Sequence, residues 1–477
     1  MHNLLKERKE QLTIGLLIGL CFLWTGSGYL SWLYHLIEKA PNLNADFLSE
    51  VVGYLFQALG LAAFAIWTKQ KQEKAYTHNV FFILAISDLF FICLSTLVAN
   101  PAMILLTGFI MNFFHGLIAG LYLTYLATLL PTMHQGLAFG CGYALGSLGS
   151  FLISKITKDN FLTSPYVLIL YVILVGLTIL LAKNISLSSF PKEEFSHSDE
   201  KTKKTMNSTL VLACIAVLLL SFVKGIGFYF PMADISSGKV SLELSRIFYA
   251  IGLILAGIIN EINRKYGYVA CLSALIFPFL LLFLTNQTES SLYIWIISYT
   301  FTGFYTVYRI LVITDLMKNN HSLIYIAGFG LLFGRIGDAL STIVGLTFDF
   351  NQLYCLWIGA FLFILTVIVF FILAERIYYP VIVPERTNTA GIGEDMSDTQ
   401  NSVKTSGKIL LFAKKYGLSS RETDILALAL TEMTNVNIAS ELYISENTIK
   451  FHIRNILKKT GCANRNELKK LYSSTRR

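Results

Sequence analysis

The sequence predicts an all-α protein: a twelve-helix membrane bundle, arranged six plus six, followed by a small soluble domain of four helices. Three observations predict it. Hydrophobic residues make up 54% of the 477 residues and charged ones only 14%, with a mean hydropathy of +0.59, too little polar surface to keep so large a chain in water. Apolar runs of about twenty residues, the length a hydrocarbon core requires, recur along most of the chain. From Phe412 onward they stop, and twelve Lys/Arg stand against six Asp/Glu with no run able to cross a bilayer.

Walking the chain with a twenty-residue ruler places the first six spans near 12–36, 48–67, 79–99, 102–130, 137–156 and 164–182. The second six fall near 209–230, 246–262, 269–286, 291–317, 323–348 and 351–379. Lys6, Arg8 and Lys9 ahead of the first run imitate a signal peptide, but no small-residue cleavage site follows, so the run reads as a first span. An even number of spans puts both termini on one side. Lys69, Lys71, Lys74, Lys183, Lys192, Lys201, Lys203, Lys204, Arg264 and Lys265 would share that side, against Lys39, Lys155, Lys158 and Lys239 opposite. Cations collect in short cytoplasmic loops, so both termini are expected in the cytoplasm of a multi-pass protein of a bacterial inner membrane.

The polar stretch 183–208 divides residues 1–182 from 209–379, and the halves repeat. The fifth span reads Gly140-Cys-Gly142-Tyr-Ala-Leu-Gly146-Ser-Leu-Gly149 and the eleventh Gly328-Phe-Gly330-Leu-Leu-Phe-Gly334-Arg-Ile-Gly337, both GxGxxxGxxG. Gly120-Leu-Tyr122 matches Gly303-Phe-Tyr305, and Gly26-Ser-Gly28-Tyr29 matches Gly225-Ile-Gly227-Phe228. Small residues on one helical face let backbones approach where lipid gives no hydrophobic drive to associate. Two six-helix halves in parallel topology with a long central loop resemble the major facilitator superfamily across about residues 10–380. That family's usual signature between spans two and three is absent from Thr68 to Asn79, with a degenerate echo at Gly257, Glu261, Arg264 and Lys265.

Ionisable groups within spans are costly and therefore mark function. Asp88, His115, Lys224, Arg309, Arg335 and Asp338 are such groups, and Arg335 and Asp338 occupy the repeat positions of Ser147 and Ser150. Only the second half is charged there. Arg335 and Asp338, three residues apart, can neutralise each other. A central cavity of Lys224, Arg309, Arg335 and Asp338 with Tyr29, Tyr122, Tyr125, Tyr305 and Tyr308 would suit a small anionic or aromatic ligand. Six of the seven cysteines lie in apolar runs and read as packing thiols; the sequence carries no metal motif, nucleotide loop or nucleophile elbow, and neither cofactor nor enzyme activity is expected.

Residues 380–411 lose periodicity and carry Pro380, Pro384, Gly391, Gly393 and Gly407, as a flexible linker does, with a reach of roughly 30 Å. Residues 412–477 then show helix starts. Ser419 with Glu422 forms a capping box before Ile425, Leu426 and Leu428, and Asn435 precedes Ile438, Ala439 and Leu442. The short Tyr443-Ile444-Ser445 turn leads into a helix from Glu446 to Lys459, and Asn464 with Glu467 boxes the last one. Helix, three-residue turn, helix is a DNA-binding unit whose second helix enters the major groove. On that helix Ile449, Ile453, Ile456 and Leu457 form the buried stripe, while Asn447, Lys450, Phe451, Arg454 and Lys458 share a cationic outer face.

The strings Leu418-Ser-Ser-Arg421-Glu422, Asn435-Val-Asn-Ile438-Ala439, Ile444-Ser445-Glu-Asn-Thr448-Ile449-Lys450-Phe-His452, Asn455-Ile456-Leu-Lys-Lys459 and Asn464-Arg465-Asn-Glu467-Leu468 resemble the LuxR-type helix-turn-helix. The resemblance implies that Lys450, Phe451 and Arg454 face base edges, and that Thr448, His452, Asn455, Lys458 and Lys459 lie near phosphates or support the helix. It also implies a homodimer on an inverted repeat of double-stranded DNA, joined through residues 465–472. The whole architecture is similar to LuxR-type regulators with a facilitator-like sensor, in which a ligand-binding bundle in the lipid bilayer controls a tethered reading domain. A secondary transporter with a fused regulatory DNA-binding domain is the alternative.

Overall fold

In the computed structural model every secondary-structure element among the described residues is a helix. The structure describes residues 2–45, 47–71, 75, 77–156, 166–183, 185, 200–236, 242–277, 291–317, 321–348, 352–378, 409, 412, 413, 415–418, 420–431, 433–442 and 446–474. The chain divides into two compact units, Met1–Ile382 and Val383–Arg477.

The first unit opens with α1 (His2–Lys39) and α2 (Tyr54–Gln70), the latter entered through a π-helical stretch at Phe47–Gly53. There follow α3 (His78–Leu97), α4 (Pro101–Leu129), α5 (Thr132–Ile156) and α6 (Tyr166–Lys183). The second half contains α7 (Glu200–Ser236), α8 (Leu242–Ile262), α9 (Arg264–Ala274), α10 (Ser291–Met317), α11 (Phe329–Thr347) and α12 (Gln352–Tyr378), with a 3-10 turn at His321–Ile326. Helix starts are capped by short polar side chains. Thr77 accepts from the Val80 amide, Asn100 from Ala102 and Met103 ahead of Pro101, and Asn263 from Lys265.

Among the described residues ten helices are long and apolar enough to cross a membrane, and each coincides with an expected span. The expected eighth span meets α8, and the expected ninth meets α9, with its later part outside the described residues. Helices α3, α6 and α12 turn most of their side chains outward, Trp357, Phe361 and Phe371 among them, as lipid-facing helices do.

Packing follows the duplication. Helix α5 packs on α1 and α8, while α11 packs on α7 and α2; likewise α2 lies against α4, and α8 against α10. Adding six to each helix number converts one set of contacts into the other. The glycine motif explains how. Its last glycine meets the first helix of its own half, Gly149 on Leu23 and Gly337 on Leu218, and its first meets the opposite half, Gly140 on Leu253 and Gly328 on Leu61. A Cβ at Gly140 would collide with the Leu253 carbonyl oxygen, so the helices approach at backbone distance only because none is present.

The two halves are also tied by polar contacts at one end. Glu261 of α8 accepts from Arg8 Nη1 at 2.9 Å, from Gln11 Nε2 at 3.3 Å and lies 3.2 Å from His134 Nδ1. Arg264 donates to the Thr132 carbonyl and stands 3.3 Å from Asp315, whose other oxygen accepts from the Tyr378 hydroxyl at 3.2 Å. Glu261 and Arg264, two of the four residues of the expected echo, thus form a cross-half clasp that includes Tyr378 at the end of α12.

The second unit contains α13 (Ser420–Ala429), α14 (Asn435–Leu442), α15 (Glu446–Thr460) and α16 (Arg465–Ser474) around Phe412, Ile425, Leu426, Ile438, Ile449, Ile456 and Leu468. Gly417 (φ 59°) and Gly461 (φ 70°) end their helices in left-handed conformation. There Leu418 N bonds Ala413 O and Cys462 N bonds Leu457 O, as in a Schellman stop. The Asn464–Glu467 box is present: Asn464 Oδ1 accepts from the Glu467 amide at 3.0 Å, and Glu467 Oε2 from the Ala463 amide at 2.7 Å. Residues Ser419 and Tyr443-Ile444-Ser445, predicted as a cap and a turn, lie outside the described residues.

Two outcomes are expected. Gly140→Ala should destabilise the bundle by about 1–3 kcal/mol by overpacking, seen as a lower melting midpoint in detergent, whereas Gly176→Ala, where a Cβ meets nothing within 4 Å, should not. Arg465 donates to the Ala429, Leu428 and Thr431 carbonyls and so closes the C-terminal end of α13. Removing it as Arg465→Ala should cost about 1–2 kcal/mol, read as faster hydrogen exchange of the α13 amides.

Candidate functional site

Each unit presents one candidate site. In the first, a cavity of about 410 Å³ opens between the two halves. The first half contributes aromatic and neutral polar groups: Tyr29, Tyr54, Gln57, His115, Tyr122, Tyr143 and Ser147, with Glu50 its carboxylate. From the second come Lys224, Arg246, Tyr249, Tyr299, Arg309, Arg335 and Asp338. Four cations therefore line the cavity against two carboxylates among the described residues. The volume and the mixed lining suit a small organic molecule.

Asp338 is the electrostatic centre of this wall. Its Oδ1 accepts from Lys224 Nζ at 2.7 Å, while Oδ2 lies 3.5 Å from Arg309 Nη1 and 4.0 Å from Arg335 Nη1. The intrahelical Arg335–Asp338 pair expected from the sequence is the longest of the three. Arg335 lies instead with its guanidinium 4.3 Å from the centre of the Tyr54 ring. Arg309 is 7% exposed, and the Nε atoms of Arg309 and Arg335 are buried without a hydrogen-bond partner. Hydroxyls elsewhere in the lining are paired: Tyr122 with Tyr143 at 2.7 Å, and Tyr249 to Thr306 at 3.0 Å. In the first half, behind the lining residue His115, Asp88 is fully buried 3.4 Å from its ring.

Six residues predicted for the cavity reach it: Tyr29, Tyr122, Lys224, Arg309, Arg335 and Asp338. Tyr125, Tyr305 and Tyr308 are not among its lining residues. Thr302, Thr306 and Arg309 form the i, i+4, i+7 stripe of α10 that faces it, and Tyr305 and Tyr308 fall on the flank. Tyr305 donates to the Ala274 carbonyl, Tyr308 packs 5.0 Å from the Phe370 ring, and Tyr125 is 1% exposed beyond the His115–Tyr122 stripe of α4. Sequence reasoning missed Tyr54, Tyr143, Tyr249, Tyr299, Arg246 and Glu50. Glu50 and Arg246 carried a usable signal, as ionisable residues inside the expected spans 48–67 and 246–262.

In the second unit α15 carries the candidate interface. Ile449 and Ile456 are fully buried and Ile453 nearly so, which turns Lys450, Phe451, Arg454 and Lys458 outward. Phe451 is 57% exposed and lies edge-on to His452 at 5.6 Å. Among the described residues of this unit Phe451 is the large hydrophobic side chain left exposed, on the same face as Lys450, Arg454 and Lys458. Thr448, His452 and Asn455 are partly exposed at the margin of that face, and the Asn447 side chain lies outside the described residues. Lys459, grouped with them from the sequence, is committed inside the domain: its Nζ bonds Glu422 Oε2 at 2.6 Å and the Gly417 carbonyl at 3.1 Å. It ties α15 to α13. On α16, Leu468 is buried and Tyr472 packs on Phe412, and the exposed positions are Asn466, Glu467, Lys470, Ser473 and Ser474.

Comparison with known proteins assigns each unit. Residues 417–471 match the model of bacterial regulatory proteins, luxR family. Spore germination protein GerE of Bacillus subtilis (strain 168) is 39% identical over 56 residues, 12% of this chain and 76% of that protein. The structure resembles the E. coli fucose:proton symporter FucP (TM-score 0.53, 17% identity) and the human organic anion transporter TETRAN (TM-score 0.56, 13% identity). Each match covers 76% of this chain, and 98% and 99% of the respective transporter. These likenesses are of fold alone: the first unit shares the helical fold of these two transporters. Through the helix-turn-helix of its second unit, the chain belongs to the luxR family of bacterial regulatory proteins.

Proposed function

We propose that the protein is a one-component transcriptional regulator in which a twelve-span, transporter-like bundle senses a small ligand and controls a cytoplasmic LuxR-type reading domain. The observation that carries this reading is the presence, in one chain, of a luxR-family helix with an exposed Lys450, Phe451 and Arg454 and a membrane cavity with a surplus of cations. The bundle sits in a bacterial inner membrane with both termini in the cytoplasm, an orientation that the distribution of Lys and Arg supports. Residues 1–182 and 209–379 form its halves, 183–208 the central loop, 380–411 the tether and 412–477 the reading domain.

On DNA, Lys450 and Arg454 donate to guanine O6 and N7, and Phe451 touches thymine methyls. Thr448, His452, Asn455 and Lys458 lie near phosphates, and Lys459 acts by holding the helix in place. Two copies meet through α16 on an inverted repeat, which doubles the phosphate contacts. In the membrane, the ligand is a small anionic or aromatic molecule held by Tyr29, Tyr122, Lys224, Arg309, Arg335 and Asp338. It acts through a difference in affinity between two arrangements of the halves, the only way a ligand shifts a conformational equilibrium. Tyr378, the last residue of α12, belongs to the clasp through Asp315, so movement of the halves is felt where the tether begins.

Genome-wide occupancy of the full chain tests the reading. Lys450→Ala/Arg454→Ala should abolish sequence-specific occupancy while membrane insertion stays at the parent level, and unchanged occupancy would remove α15 from the interface. Occupancy that follows a ligand, with no uptake of that ligand into proteoliposomes, separates a sensor from a carrier with an appended DNA-binding domain.

A further inference from the structure

The charged wall of the cavity has a feature that ligand sensing by itself does not require. Three cations from three helices, Lys224 of α7, Arg309 of α10 and Arg335 of α11, converge on one carboxylate that belongs to the protein. One negative charge does not neutralise three positive ones, and the Nε atoms of both arginines remain buried and unpaired. A buried guanidinium left so costs desolvation free energy that a second acceptor would recover. Across the cavity the lining is aromatic, with Tyr29, Tyr54, Tyr122 and Tyr143 on the first half. A flat ring packs against such groups, and its acidic substituent then faces the arginines.

We infer, building on the reading of this cavity as the ligand site, that it takes an aromatic carboxylate, and that Asp338 is a tethered competitor for the same cations. In the empty cavity Asp338 holds Lys224, Arg309 and Arg335 together and limits their repulsion. An incoming carboxylate shares or takes over the two arginines, so binding is an exchange of one anion for another and not the filling of a vacant site. Asp338 therefore sets how tightly, and for which net charge, the cavity binds. Its presence keeps affinity low for any anion that does not also fill the aromatic side. A neutral analogue of the same shape lacks the means to displace it.

This account gives Lys224 and Asp338 effects of opposite sign, which a purely structural ion pair would not. The test is titration of the full chain in lipid nanodiscs with benzoate, benzamide and cyclohexanecarboxylate. Benzoate should bind the parent, with benzamide and cyclohexanecarboxylate each weaker by about tenfold or more. Asp338→Asn should tighten benzoate by about tenfold and leave benzamide unchanged, while Lys224→Gln should weaken benzoate by a similar factor. Asp338→Ser serves as the second neutral variant should the asparagine protein fail to insert.

Equal weakening of benzoate by the Asp338 and Lys224 variants would overturn the competitor role. Benzamide binding as tightly as benzoate, or no benzoate binding to either parent or Asp338→Asn up to about 10 mM, would overturn the carboxylate class. Neither of those results touches the regulator reading, which fails separately if promoter occupancy ignores Lys450 and Arg454.

Discussion

Close approach of helix backbones in hydrocarbon is the constraint on which the membrane unit depends. Lipid tails are as apolar as the side chains they touch, so burying Leu against Leu gains little there, and helices associate by contact at small residues. The two glycine motifs supply that contact at equivalent places in the two halves. Gly140 and Gly149 seat α5 between α8 and α1, and Gly328 and Gly337 seat α11 between α2 and α7. Cross-half contacts made in this way determine where the halves can part. What the glycines leave open between α1, α2, α4 and α5 of one half and α7, α8, α10 and α11 of the other is the cavity.

Charge within that cavity is the second organising term. Asp338, Lys224, Arg309 and Arg335 are each costly in a medium of low polarity, and none would persist alone. Their mutual contacts make the cluster tolerable without neutralising it. At the clasp Glu261 is met by Arg8, Gln11 and His134, and Asp315 by Arg264 and Tyr378, so each carboxylate is paired, although Arg264 Nε and Nη1 lack a hydrogen-bond partner there as the arginine Nε atoms do in the cavity. One polar centre ties the halves together; the other carries a surplus of cations over carboxylates.

Much of this was legible in the sequence. The ten helices long and apolar enough to span, among the described residues, and the glycine repeat are written in runs of composition, and the luxR-type helix in a short string of specific residues. The inward side of each membrane helix was harder to read. Such helices are apolar all round, so Tyr305 and Tyr308 look as inward as Thr306 or Arg309 until neighbours select the flank. Tyr54, Tyr143, Tyr249 and Tyr299 were missed for the same reason. In the second unit Thr434, not Asn435, caps α14, its hydroxyl accepting from the Asn437 amide at 3.3 Å. Adjacent capping residues are not distinguished by spacing, just as a lysine's commitment to a distant glutamate, Lys459 to Glu422, is not.

The duplicated scaffold is symmetric in backbone and unequal in chemistry, since Ser147 and Ser150 stand where the later copy has Arg335 and Asp338. A container of this kind has a polarity. Whatever enters it meets rings, hydroxyls and one carboxylate, Glu50, on one flank and all four cations on the other, so a guest carrying a single acidic group has one favoured way round. Orientation, and not occupancy alone, then distinguishes chemically similar guests, and a symmetric molecule of equal charge gains less from the same walls.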